Sequence, residues 1–206
     1  MSNTIVTHYG YDVIVDDETT QLPALITPAD IAVASGGRIS ADDSRLPSVC
    51  AAVSAAIRDY CGWHIAPSLQ CVYKTQVGTR VIMLPAKLVT SIDGITVRDI
   101  LLDSTKYEWK RSGAVRIHRH PQARGQWGAY EVTYHAGMDA SATALAQVAA
   151  QVALNNLVAT PGVRNESVGQ VSLSYNQLSD GVSGGIQLLN RDKSLLREYR
   201  LQPLAR

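Results

Sequence analysis

Three histidines are the first residues that could do chemistry. His118 and His120 stand at i and i+2 in Ile117-His118-Arg119-His120-Pro121. On a strand this spacing puts both imidazoles on one face, where they could hold a metal ion, and His135 could be a third ligand. Such a site would make the chain a metal-dependent hydrolase. Two features weigh against it. Arg119 adds positive charge between the pair, and no carboxylate lies beside them in sequence. Exposed turn histidines are the simpler reading.

The other reactive side chains also read as structural. Cys50, Cys61 and Cys71 lack CxxC spacing. An odd count without a visible secretory signal points to free thiols in a reducing compartment. Cys50 and Cys61 fall on the apolar face of a helix and are expected to pack rather than react. No GxSxG, HExxH, phosphate loop or dinucleotide fingerprint is present. Trp63, Trp109 and Trp127 are expected as core or interface anchors. No catalytic, cofactor or metal residue is assigned, no cofactor is implied, and no enzyme activity is expected.

The elements that would position these groups follow from periodicity. The chain has 206 residues, of which 46% are apolar, enough for one sizeable domain or two small ones. Thr27-Pro28-Ala29-Asp30 is a helix start, with Thr27 as cap and Pro28 in the first turn, and Ser35-Gly36-Gly37 closes that helix. A second helix is expected from about Ser44 to Cys61. Leu46, Val49, Cys50, Val53, Ala56, Ile57 and Tyr60 share its apolar face, and Gly62 stops it. From Trp63 to Gly137 the period falls to two, giving about six short antiparallel strands. Asp93-Gly94 is expected as one hairpin turn and Lys110-Arg111-Ser112-Gly113 as another.

The helix expected over Ser141–Ala159 is unusual because it carries no charge at all. Gln147, Gln151 and Asn155 recur every four residues and form one narrow polar stripe. A surface helix normally shows a broad charged face. This one must be covered on most sides, by its own domain or by other copies. Residues 164–185 then read as an extended polar arm. Leu188, Leu189, Leu195 and Leu196, with Arg197 and Arg200, give a basic helical end.

Net charge is +1, so no global field recruits nucleic acid or an anionic membrane. Residues 1–43 hold seven acids against Arg38, a balance of −6, whereas residues 191–206 hold five basic residues against two acids, a balance of +3. The start of the chain shows no signal peptide, and the apolar run near Leu145 is too short and amide-rich to cross a membrane.

One ordered set of segments carries a resemblance. It comprises Thr27-Pro28-Ala29-Asp30, Ile57-Arg58-Asp59-Tyr60-Cys61-Gly62-Trp63, Val81-Ile82-Met83-Leu84-Pro85, Leu88-Val89-Thr90-Ser91-Ile92 and Tyr107-Glu108-Trp109. It continues with Val132-Thr133-Tyr134-His135-Ala136-Gly137-Met138, the uncharged helix and Glu166–Tyr175. This set resembles the head–tail connector (adaptor, or head-completion) proteins of long-tailed bacteriophages, over about residues 25–200. The resemblance implies an α+β fold. A small helical bundle core would carry an inserted antiparallel β-sheet or barrel at about 64–137 and a C-terminal docking arm at about 164–206. Residues 1–26 lie outside the matched segments; acidic and without a clear periodic element, they are expected to be an N-terminal arm.

In function it implies a structural virion protein, assembled in the host bacterial cytoplasm. The chain would form a ring, usually of twelve copies, under the phage portal and join the DNA-filled head to the tail. Its partners would be further copies of itself, the portal, and the next head-completion or tail protein. DNA would pass through without sequence recognition, and no membrane would be involved. Gln147, Gln151, Asn155, Leu188, Leu189, Leu195, Leu196, Arg197 and Arg200 are then the candidate subunit or portal contacts. A tail terminator or stopper is the rival ring protein, and the hydrolase of His118, His120 and His135 is the rival from another class.

Overall fold

Local capping chemistry places the first helix. The Thr27 N–H donates to Asp30 Oδ2 at 2.7 Å and the Asp30 N–H donates to Thr27 Oγ1 at 3.3 Å, a reciprocal capping box. It starts α1 (Pro28–Ala34). The helix closes in a Schellman arrangement, with Gly37 N–H on Ala32 O and Gly36 N–H on Val33 O. The computed structural model describes residues 2–16, 20–76, 81–118, 129–139, 143–158, 165–168, 171–174, 186 and 188–201. They fall into two compact units.

The helical unit spans residues 24–60 and 143–197. It holds α1, α2 (Leu46–Cys61, whose last residue begins the other unit), α3 (Thr143–Val158) and α4 (Asn190–Leu196). Leu46, Cys50, Val53 and Ile57 are buried along one stripe of α2, the face that the periodicity predicts. The buried Ser54 hydroxyl accepts from Leu25 N–H at 2.8 Å and donates to Cys50 O at 2.6 Å, which ties the entering chain to α2. Asn165–Val168 and Val171–Ser174 pair as an antiparallel hairpin, β10 and β11. Both strands fall within the stretch that the sequence reads as an extended polar arm.

The β unit spans residues 1–23, 61–142 and 198–206. Its larger sheet has six strands: β1 (Ser2–Val6), β2 (Asp12–Asp16), β3 (Leu69–Thr75), β9 (Tyr130–Ala136), β5 (Val89–Val97) and β6 (Ile100–Leu101), in that spatial order. A three-stranded sheet holds β4 (Val81–Met83), β8 (Ala114–Ile117) and β7 (Tyr107–Trp109) in the order β4-β8-β7. All pairings are antiparallel and the sheets are open, so the β part is not a barrel. Central β9 alternates strictly, with Tyr130, Val132, Tyr134 and Ala136 inside.

Two differences from the sequence reading have physical causes. Residues 1–26 are not a structureless acidic arm, because β1 and β2 lie within them and β2 pairs with β3. Tyr11, Val13 and Val15 point into the core while Asp12 and Asp16 are less buried, a period of two that the acidic residues hid. Asp93-Gly94 is not a hairpin turn. β5 runs straight through it with register shifts that mark bulges. The turn lies at Arg98 and Asp99, both left-handed at φ 50° and 63°, between the paired Val97 and Ile100. The Lys110–Gly113 turn does form as predicted. Gly113 has φ +86°, and a Cβ there would stand 2.8 Å from Ala86 O.

The β unit closes around a buried histidine that sequence patterns did not single out. His64 is fully buried on the chain leading from α2 to β3. Its Nε2 lies 2.8 Å from Ala136 O, a pure acceptor, so Nε2 carries the proton. Nδ1 then accepts from the Tyr11 hydroxyl at 2.8 Å, and the same hydroxyl accepts from the His64 N–H at 3.0 Å. The next residue, Ile65, is buried at φ +65° in a three-residue turn, with Ala66 N–H on His64 O at 2.8 Å. Its carbonyl accepts from Met138 N–H at 2.7 Å. Gly137 follows β9 at φ +121°, and any Cβ there would sit 2.4 Å from Pro67 O.

Two buried tyrosines should therefore respond oppositely to loss of the hydroxyl. Tyr11→Phe strands both the His64 ring nitrogen and its N–H, and should cost about 1–3 kcal/mol in urea unfolding. The Tyr134 hydroxyl is buried without a partner in normal hydrogen-bond geometry, the Cys71 thiol standing opposite it on β3. Tyr134→Phe should change stability by less than about 1 kcal/mol. Equal losses in the two variants would contradict this account of the core.

Candidate interface on the helical unit

The small side chains of α3 set the geometry of the candidate site. Leu145, Ala149, Val152 and Ala153 are buried on its inner stripe, and α3 packs against α1 and α4. Alanine at these positions lets neighbouring backbones approach closely. Ala144, Gln147 and Gln151 are exposed on the opposite side, and Val148, Leu154 and Asn155 are half-buried there. The polar stripe is ordered along the helix, since Gln151 Nε2 donates to Asn155 Oδ1 at 3.1 Å. Asn155 Nδ2 is buried without a hydrogen-bond partner among the described residues. The outer face of α3 thus offers amide groups and small apolar groups but no charge.

The C-terminal candidates separate into two kinds. Leu196 is fully buried within the chain, so it is a core residue rather than part of a surface that a partner could reach. Leu195 is 54% exposed, Arg197 and Arg200 are exposed, and Leu188 and Leu189 are half-buried. Asp192 is buried at the third position of α4 and accepts from Leu189 N–H at 3.0 Å. This is half of a capping box, since Leu189 has no side-chain acceptor to return. Residues 190–201 are anchored to the fold, although the sequence places them in a docking arm. In the β unit Trp63 Nε1–H donates to Tyr199 O at 2.7 Å, Leu201 N–H donates to Cys61 O at 2.9 Å, and Lys87 Nζ donates to Glu198 O.

Of the candidate histidines, the two described ones, His118 and His135, belong to different sheets. His135 lies on β9, where Asp93 Oδ2 meets both His135 Nε2 at 3.2 Å and Gln70 Nε2 at 2.8 Å. His118 follows β8 of the other sheet, its N–H donating to Lys106 O. His120 and Trp127 lie outside the described residues. Among the described residues no group of three or more His, Cys, Asp or Glu could hold a metal ion, and no helix is long and apolar enough to cross a membrane. All three cysteines are buried and unbridged, and burial pushes the Cys61 and Cys71 thiols up to about 12.

Residues 24–155 match the model of the head completion protein family. The chain belongs to that family. The match takes in α1, α2, strands β3 to β9 and most of α3. β1, β2 and α4 lie outside the matched residues. Two solved structures are similar in fold. One is described as the neck of a native GTA particle computed with C12 symmetry, with a TM-score of 0.52, 12% identity, and 92% of this chain and 96% of that chain covered. The other is described as the neck of an empty GTA particle computed with C6 symmetry, with a TM-score of 0.55, 14% identity and the same coverage. No curated protein matches the sequence.

Two outcomes test the split between core and surface. Leu196→Ala should destabilise by about 2–5 kcal/mol in denaturant unfolding, and deletion of residues 186–206 should lower the melting temperature rather than leave an unperturbed domain. Cys50, Cys61 and Cys71 should resist a thiol-specific disulfide reagent at pH 8 and react only on unfolding. Rapid labelling of the native protein would contradict their burial.

Proposed function

We propose that this head completion protein is a head–tail connector subunit. It forms a ring, docks under the phage portal and joins the DNA-filled head to the tail. The observation that carries this reading is the uncharged outer face of α3, within a chain of the head completion family. A helix facing solvent ordinarily carries a broad charged face, and a neighbouring subunit would cover this one. The neck structures of similar fold were computed with C12 and C6 symmetry, and we carry that ring arrangement over to this chain, with twelve copies in the particle. Gln147, Gln151 and Asn155 would then be subunit contacts.

In the same reading Leu195, Arg197 and Arg200, with half-buried Leu188 and Leu189, would face the portal or the next neck protein. The chain's role would be structural and its place the virion, with assembly in the bacterial cytoplasm. DNA would pass through the ring without sequence recognition.

Native mass measurement and electron microscopy of the purified chain, with and without portal-containing heads, test the proposal. Wild-type protein should give rings, alone or on the portal. Gln147→Glu with Gln151→Glu should fold normally by circular dichroism, because both positions are exposed. The repeated like charges should weaken association at least tenfold, about 1.4 kcal/mol per contact. Normal head completion by this double variant would remove α3 from the interface, and a chain that stays monomeric in both settings would overturn the ring.

A further inference from the structure

The outer face of the three-stranded sheet gathers cations that the net charge of +1 hides. The register of β4, β8 and β7 puts Val81, Arg116 and Glu108 side by side across the strands. Residues two apart along a strand share a side, so Met83 and Ala114 lie on the same face. The ladder continues beyond both ends of β7, because Lys110 N–H donates to Ala114 O at 2.9 Å and His118 N–H to Lys106 O at 2.7 Å. Lys106 and Lys110 thus flank Glu108 on this face, with Arg116 on the adjoining strand. All four are exposed, whereas Val115 and Ile117 of β8 are buried on the other side.

Exposed Arg111 sits in the turn after Lys110, so Lys106, Lys110, Arg111 and Arg116 stand against Glu108, a balance of +3. Glu108 is held by Arg116 at 3.1 Å. Asp103, near Lys106, already accepts from the Thr105 N–H and hydroxyl at 2.9 and 2.6 Å. Among the described residues Lys106, Lys110 and Arg111 form no ion pair. The turn is fixed by main-chain bonds, Gly113 N–H to Lys110 O at 2.9 Å and Val89 N–H to Arg111 O at 2.8 Å. Cations on so rigid a hairpin lose little further freedom when they meet a ligand. The small Ala114 leaves a groove of about 400 Å³ among them, lined by Val81, Glu108, Trp109, Lys110, Ala114 and Arg116.

We propose that this face binds the phosphate backbone of duplex DNA without reading its sequence. Complementarity of charge selects the ligand. DNA repeats one negative charge every ~3.4 Å along each strand. Same-face residues recur every ~6.6 Å along a β-strand, so the cations are spread over a length that no single carboxylate spans and a run of phosphates does. Lysine serves phosphate as a point charge. The described residues of the face include no Asn or Gln to read adenine, and Arg116 and Glu108 occupy each other rather than a guanine or cytosine edge. Such contacts position a duplex and carry no sequence information. The inference rests on the connector reading for the source of the DNA, and assigns a surface to its passage.

Fluorescence anisotropy of the purified chain with two labelled duplexes of unrelated sequence, titrated from about 50 to about 200 mM salt, tests it. The wild type should bind both duplexes equally and release them as salt rises. Lys106→Gln, Lys110→Gln and Arg111→Gln together should weaken binding at least tenfold at low salt and lower the salt slope by about 2–3, near one per phosphate contact. Lys193→Gln, Arg197→Gln and Arg200→Gln remove the same charge elsewhere and should change binding far less. All six positions are exposed, and melting temperature checks that both variants fold. Lys110→Gln alone should lower the slope by about 1, which keeps the test should the triple variant unfold. No binding by the wild type, equal loss in both triple variants, or a preference for one duplex would overturn the inference. Poly-glutamate bound as tightly as DNA would give the face to an acidic protein and overturn it too. Rings built from a chain that ignores DNA would leave the connector reading standing without this face. A chain that binds duplex through these residues yet never assembles, alone or on portal-containing heads, would overturn the ring and keep the face.

Discussion

The β unit depends on one saturated contact. His64 is buried with both ring nitrogens and its main-chain N–H bonded, and the three bonds reach Tyr11 and Ala136. Those partners stand at the start of β2 and the end of β9, far from His64 in sequence. A buried polar group without partners would cost more than most single packing contacts contribute, so the three segments are selected together or not at all. The left-handed Ile65 and the constrained Gly137 sit beside this contact. Their backbone shapes are held because packing and hydrogen bonds leave no alternative.

The helical unit is organised by the absence of charge. Alanines on the inner stripe of α3 allow close packing with α1 and α4, while amides and small apolar groups line the outer side. A monomer would gain solubility from lysine or glutamate there. In the proposed ring that side would be a contact surface, which amides can order through directional hydrogen bonds.

Much of the fold was legible in local signals. The Thr27–Asp30 box, Gly62 and the apolar stripe of α2 placed two helices near their observed bounds, because capping and helical periodicity are properties of neighbours in sequence. The charge-free run placed α3. The Asp93-Gly94 pair misled because a turn signal states only what the backbone can do there. Pairing with β9 favoured a bulge in a continuous strand, and Arg98-Asp99 took the turn despite weaker sequence preference. β1 and β2 were hidden by Asp12, Asp16 and the acids after them, which fall on the less buried side or beyond the strand.

By itself, the sequence determined the α+β class, most helix bounds, the packing role of the thiols and the family resemblance, since each rests on short-range pattern or on ordered motifs. Tertiary structure decided which face of α3 remains outside and that Leu196 is core while Leu195 is surface. It also decided that His135 answers to Asp93 rather than to His118, and that the first sixteen residues complete a sheet. These outcomes depend on partners distant along the chain. A side chain's exposure is set by what folds against it, and no window of sequence contains that information.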